Sequence, residues 1–278
     1  MRSVTSIAKV TKAMELVAGS KMRRSQSRAL AARPYAEKML EVLGDLAKQQ
    51  PGDEGAHPFL TVRPAGRTLV LYLSPNRGLA GGLPSNMNRR AASFALEQEV
   101  PVSFITTGKK GRDFIVRTSQ PLLAEFTMKE YPELLDTLTM TRMLIDEYES
   151  GRADRVYLLY PRLVNTAVQT PVVKQILPIE PQDIEDRTVD DVDYIYEPDI
   201  ESVFAELLPR YIEMTVYQAV LESEASELSA RMVAMRNATE AAKDMIQTLT
   251  LVYNKARQEQ ITKELLDIVG GVEAMKAR

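Results

Sequence analysis

Val4, Ile7, Val10, Met14 and Val17 recur at steps of three and four residues, the spacing of one face of a helix. Gly19 weakens that helix by about 1 kcal/mol relative to Ala without ending it. Pro34 removes a backbone donor and predicts a kink or a local interruption. Tyr35, Met39, Leu43 and Leu46 then resume the spacing. The stretch from Gln50 to Pro58 carries Pro51, Gly52, Gly55 and Pro58, a density of breakers that reads as a loop.

From about Gly66 to Pro198 the pattern changes. Leu69–Leu73, Val102–Ile105, Val156–Tyr160 and Val168–Leu177 are short apolar runs with β character. Between them, Pro84–Glu99, Gly108–Arg117 and Glu130–Glu149 read as helices. Such alternation predicts a small, mostly parallel sheet with right-handed crossovers.

After Pro209 neither Pro nor Gly occurs until Gly270. Within this breaker-free run, Met232, Met235, Thr239, Ala242, Met245, Leu249, Val252 and Ala256 follow a heptad. A helix over Arg210–Val269 would be roughly 90–100 Å long at 1.5 Å per residue, more than a globular domain requires. Neither terminal stripe can bury its apolar face alone. The simplest solution pairs the two helices antiparallel, with the longer C-terminal one projecting. The expected fold is α/β: a long antiparallel coiled coil of N- and C-terminal helices, with an inserted Rossmann-like α/β domain. The expected division is residues 1–50 and 200–278 for the coiled-coil shaft and 66–198 for the insertion.

Composition narrows the chemistry. The chain of 278 residues has no Cys, which excludes disulfides and thiolate metal sites. No segment approaches the roughly 18 consecutive apolar residues of a membrane span. His57 is the sole histidine and lies in the Pro/Gly loop, so neither a Ser-His-Asp triad nor a histidine metal site is expected. Gly78, Gly81 and Gly82 follow a predicted strand, but neither the Walker ending nor the G-x-G-x-x-G spacing is present. A tight turn into the next helix is the better reading. Catalytic residues, cofactors and metal ions are therefore not expected.

Charge is unevenly spread. Residues 1–33 hold Arg2, Lys9, Lys12, Lys21, Arg23, Arg24, Arg28 and Arg33 against only Glu15. Nucleic-acid binding, a solvated helix face and a protein-facing surface are the three readings of such a stretch. Ten acidic residues crowd positions 180–201, read as a solvated connector because they lack EF-hand spacing. Two function classes remain on this evidence. One is an interaction protein that transmits force along a projecting shaft. The other is a nucleotide-binding α/β enzyme with a coiled-coil dimerisation arm.

Three segments resemble one family. Ile7-Ala-Lys-Val-Thr-Lys-Ala-Met-Glu-Leu-Val-Ala-Gly-Ser-Lys-Met22 is similar to the opening helix of F-type ATP synthase gamma subunits. Ser226–Lys243, Leu251-Val-Tyr-Asn-Lys-Ala-Arg-Gln258 and Ile261–Gly271 resemble their closing helix. Asn76-Arg-Gly-Leu-Ala-Gly-Gly-Leu83 is close to their glycine-rich turn, with Pro75 and Asn76 replacing the usual Ser and Asp. The family usually begins with a further basic turn, which implies a start upstream of Met1. Its chloroplast-type cysteine insert is missing, so the resemblance implies no thiol control.

The resemblance implies a central-stalk rotor subunit, one copy per complex, with its helices inside a ring of three alpha and three beta subunits. The side domain would contact epsilon and the ring of c subunits, and catalysis would belong to beta. Membrane association would come only through partners, at the cytoplasmic face of a bacterial plasma membrane, and nucleic acid would have no role. Arg257 and Gln258 match positions that touch the alpha/beta ring as a catch, and Thr262 aligns as a nearby polar contact. Met14 matches a position that faces a beta-subunit loop.

Overall fold

A computed structural model describes residues 1–49, 57–64, 66–179 and 200–276. In chain order the elements are α1 (Arg2–Gln49), β1 (Thr68–Leu73), α2 (Leu83–Glu97), β2 (Val102–Thr107), α3 (Lys109–Arg117), β3 (Leu122–Phe126), α4 (Leu134–Glu149), β4 (Arg155–Leu163), β5 (Gln169–Leu177) and α5 (Ile200–Lys276). The mixed α/β class with long terminal helices matches the sequence expectation. The acidic connector falls outside the described residues, apart from the two positions that open α5. The chain divides into two compact units: residues 1–17 with 234–278, and residues 18–233.

The larger unit holds a five-stranded sheet in the order β3-β2-β1-β4-β5. The first four strands are parallel, and β5 pairs antiparallel with β4. Every residue of the central β1 is buried. Its alternate side chains feed two separate cores, as the two-residue period of a strand dictates. Leu69, Leu71 and Leu73 join Met140, Leu144 and Tyr148 of α4, Met39 and Leu43 of α1, and Leu208 and Ile212 of α5. Val70 and Tyr72 join Met87, Ala91 and Phe94 of α2 and Ile115 of α3. β3 is the strand that its short run hid: an edge strand with alternating partial exposure and no continuous apolar signal.

Two prolines sit inside helices. Pro34 does not interrupt its helix: α1 continues across it. Pro209 lies within α5. In each case the carbonyl four residues earlier loses its donor. Leu30 and Ala205, which carry those carbonyls, are exposed, so water can hydrate the freed oxygen. Packing then holds the helix on both sides. Ser25 precedes Pro34 in a buried position, and Met39 and Leu43 follow it into the core.

Within this unit α1 and α5 run antiparallel. A Cβ added at Gly19 would lie 3.0 Å from Met232 Sδ, while Ser25 Oγ donates to Glu224 Oε2 at 3.0 Å. The other Glu224 oxygen, Oε1, accepts from the Tyr131 N–H at 3.2 Å. Burial pushes the Glu224 carboxyl above the usual range, against the pull of these two hydrogen bonds and of Arg28. The folded chain thus holds the Glu224 proton more tightly than the unfolded chain. Stability that this group confers at acid pH is lost as pH rises through its raised folded value. Glu224→Gln removes the titration. Its melting temperature, relative to the native chain, should therefore be higher at pH 8 than at pH 4. A difference that stays constant across that range in calorimetry would contradict the burial argument.

Candidate functional site

The smaller unit is built from the first turns of α1 and the last part of α5. Thr239 Oγ1 lies 2.8 Å from Thr11 Oγ1 and also donates to the Met235 carbonyl at 2.8 Å. Met235, Thr239 and Ala242 are buried. On α1, Val4, Ala8, Thr11 and Glu15 are half-buried, at heptad steps of four, three and four. Of the stripe read from the sequence, only Val4 and Met14 are half-buried. Ile7, Val10 and Val17 are each more than half exposed. At the centre of the seam Ala8 and Thr11 are small, which lets the two helix backbones approach closely. Ile7, Val10, Leu16 and Val17 are turned outward.

The C-terminal heptad also stops early. Met245 and Val252 are exposed, and Ile246, Leu249 and Thr250 are only partly covered. Every residue from Leu251 to Val272 is exposed. That segment carries Leu251, Val252, Tyr253, Ile261, Leu265, Leu266, Ile268, Val269 and Val272, each at least 44% exposed. Successive residues lie 100° apart, so Leu251, Val252 and Tyr253 alone face three directions. A helix apolar on several sides is normally enclosed by something.

Arg257, Gln258 and Thr262 all lie in this exposed stretch. Gln258 and Thr262 share a face one turn apart, and Arg257 is the neighbour to one side. Among the described residues Arg257 has no ion pair, so its planar fork of donors is open to a carboxylate. The nearby pairs, Lys255 with Glu259 at 3.9 Å and Gln260 with Glu264 at 3.1 Å, are ordinary helix-surface contacts. Met14 is half-buried on α1. Ile7, Val10, Leu16 and Val17 were missed as an outward surface. Their bulk beside Ala8, Thr11 and Ala18 was the available signal.

The glycine-rich turn has the role its sequence suggested. Leu79 and Gly81 adopt φ of 64° and 57°, and Gly82 precedes α2 with Pro84 in the first turn. Ala80 and Leu83 are buried beneath it. Arg231 pairs with Glu227 and reaches the Gly78 carbonyl at 3.4 Å. His57 is half-buried, its Nδ1 accepting from the Phe59 N–H at 3.3 Å. Desolvation lowers its pKa against a weaker opposing pull from Glu149. Among the described helices none is long and apolar enough to cross a membrane.

Comparison with known proteins gives a single answer. A family model described as ATP synthase matches residues 1–275. The chain is 51% identical to the ATP synthase gamma chain of Dehalococcoides mccartyi (strain CBDB1) over 276 residues, covering 99% of this chain and 96% of that one. It is 48% identical to the gamma chain of Roseiflexus castenholzii and 46% identical to that of Chloroflexus aurantiacus, each over 280 residues and with the same coverages of 99% and 96%. Its fold is similar to a chain in the central stalk and c-ring structure of Tetrahymena thermophila mitochondrial ATP synthase, with TM-score 0.63, 24% identity, and 83% and 99% of the two chains covered. It is also similar to a chain in the rotor of the Euglena gracilis mitochondrial enzyme, with TM-score 0.65, 20% identity, and 94% and 95% covered. With outward apolar faces on both terminal helices and relatives matched over almost their whole length, the chain belongs to the ATP synthase gamma chain family.

Proposed function

We propose that this chain is the central-stalk rotor subunit of an F-type ATP synthase, transmitting rotation of the membrane c ring to an alpha3beta3 hexamer and so coupling proton flow to ATP synthesis. The observation that carries this reading is the stretch 251–272, an exposed helix with large apolar side chains on several sides. In this reading, residues 1–50 and 200–278 form the shaft inside the hexamer, and residues 66–198 form a side domain that meets epsilon and the c ring. The complex is attached to the cytoplasmic face of a bacterial membrane through those partners.

Catalysis lies in beta. A turning ligand shifts beta between conformations only if its contacts differ among them. Two unlike helices presenting different residues at each angle meet that requirement. Arg257, Gln258 and Thr262 supply polar contacts to the ring, and Met14 supplies an apolar one.

The test is co-purification with alpha and beta. One copy per hexamer is expected, with no ATP hydrolysis by the isolated chain and coupled hydrolysis once the partners are present. Failure to join the hexamer, or hydrolysis by the chain alone, would overturn the assignment. Arg257→Ala should lower the yield of ATP per proton without unfolding the chain. One exposed contact is worth only about 0.2–1 kcal/mol, so partial synthesis should survive. Synthesis at the native level in membrane vesicles would remove Arg257 from the set.

A further inference from the structure

The loop between β3 and α4 is tied at three places to the antiparallel helices of the larger unit. Lys21 of α1 pairs with Glu130. The Tyr131 ring lies under two α1 guanidinium groups, with Arg24 Cζ at 5.2 Å and Arg28 Cζ at 6.0 Å from its centroid. Arg28 Nη2 also donates to the Pro132 carbonyl at 2.9 Å. From α5, Glu224 receives the Tyr131 N–H with one oxygen and the Ser25 hydroxyl with the other. One carboxylate therefore joins the loop, α1 and α5.

Two further features mark the loop as held rather than incidental. Tyr131 sits at φ 61°, a region that side chains with a Cβ seldom occupy and that persists only where surroundings impose it. Beyond it, Asp136 accepts from the Glu133 N–H at 3.0 Å and pairs with Lys129, which fixes the loop to the first turn of α4. The apolar attachment of α1 to the sheet core lies elsewhere, at Met39 and Leu43. Ser25 and Met39 are separated by about 20 Å of helix at 1.5 Å per residue. One attachment zone leaves a pivot, whereas two zones at that separation resist twisting and bending.

We propose that the Glu130–Pro132 loop, clasped by Lys21, Arg24 and Arg28 and by Glu224, is a second mechanical link that stiffens the larger unit against torsion between its sheet and its helix pair. This inference rests on the rotor reading. Its test uses the full chain assembled with alpha and beta. Because the chain has no Cys, Leu96→Cys on α2, at an 87% exposed side chain, gives a unique attachment point for a bead. With the hexamer fixed to a surface, the angular variance of the bead in its ATP-waiting pauses reads the compliance of the path.

Tyr131→Leu combined with Arg28→Met should at least double that variance, because both the ring and one of its cations are gone. Tyr131→Phe keeps the ring, loses only the hydroxyl's hydrogen bond to Glu130, and should raise the variance far less than the double variant. Arg24→Gln, at an exposed side chain, should give a smaller rise, and it decides the matter if the double variant does not assemble. Variance equal to the parent in the assembled variants would overturn the clasp. A parent complex that does not turn would instead sink the rotor reading, so the two failures are distinct.

Discussion

Gly108→Ala should be among the most damaging single substitutions in this chain. Gly108 joins β2 to α3 at φ 82° and ψ 139°, a conformation that suits only glycine. Imposing it on alanine costs about 1–3 kcal/mol. An added Cβ would also lie 2.2 Å from the Ser74 carbonyl oxygen and 3.0 Å from the Pro75 carbonyl carbon. Those atoms are backbone at the end of the central strand, so relief requires moving β1 itself. Overpacking of that kind typically costs a further 1–3 kcal/mol or so. Chemical denaturation should show a sharply lower midpoint, with the change confined to stability. A midpoint near the native one would mean that the β2–α3 junction can open without disturbing Ser74. Gly151→Ala shares the positive φ, at 69°, but a Cβ there meets nothing within 4 Å. It should show the backbone cost alone, which makes it the natural control.

Leu43→Ala is expected to cost about 2–5 kcal/mol, the usual range for truncating a fully buried leucine. Leu43 is wholly buried in the core cluster that joins α1 to β1, α4 and α5. The cavity would open between a helix from the N-terminal end of the chain and the sheet, where collapse requires α1 to move. Leu96→Ala is the comparison, since that side chain is 87% exposed and its loss should stay within about 0.5 kcal/mol. Equal losses for the two would refute the placement of α1 against this core.

The sequence carried four of the five strands and their mostly parallel pairing, but not their order. Runs such as Leu69–Leu73 are buried on both faces and therefore read as continuous apolar stretches. β3 escaped because an edge strand needs only one covered face, and Leu122–Phe126 alternates accordingly. Pro34 fails to interrupt its helix for a different reason. Propensity counts the lost hydrogen bond but not the solvent that replaces it, nor the core contacts that flank it. The choice of inward face on α1 depended on a partner helix whose position no local pattern reveals. Ile7 and Val10 look more like a core than Ala8 and Thr11, yet the smaller pair is the more covered. The clasp was beyond reach for the same reason. Ser25 and Glu224 are 199 positions apart, and their meeting is decided by the pairing of the terminal helices. The roles proposed for Met14, Arg257, Gln258 and Thr262 rest on family resemblance alone.

The uncovered apolar stretch near the C-terminus has a cellular consequence. A copy made without its assembly partners would present Leu265, Leu266, Ile268 and Val269 to water. Such surface invites self-association and capture by chaperones and proteases. Unassembled copies should thus be short-lived, and the abundance of this polypeptide should follow that of whatever sheathes it, even when its own messenger RNA is in excess.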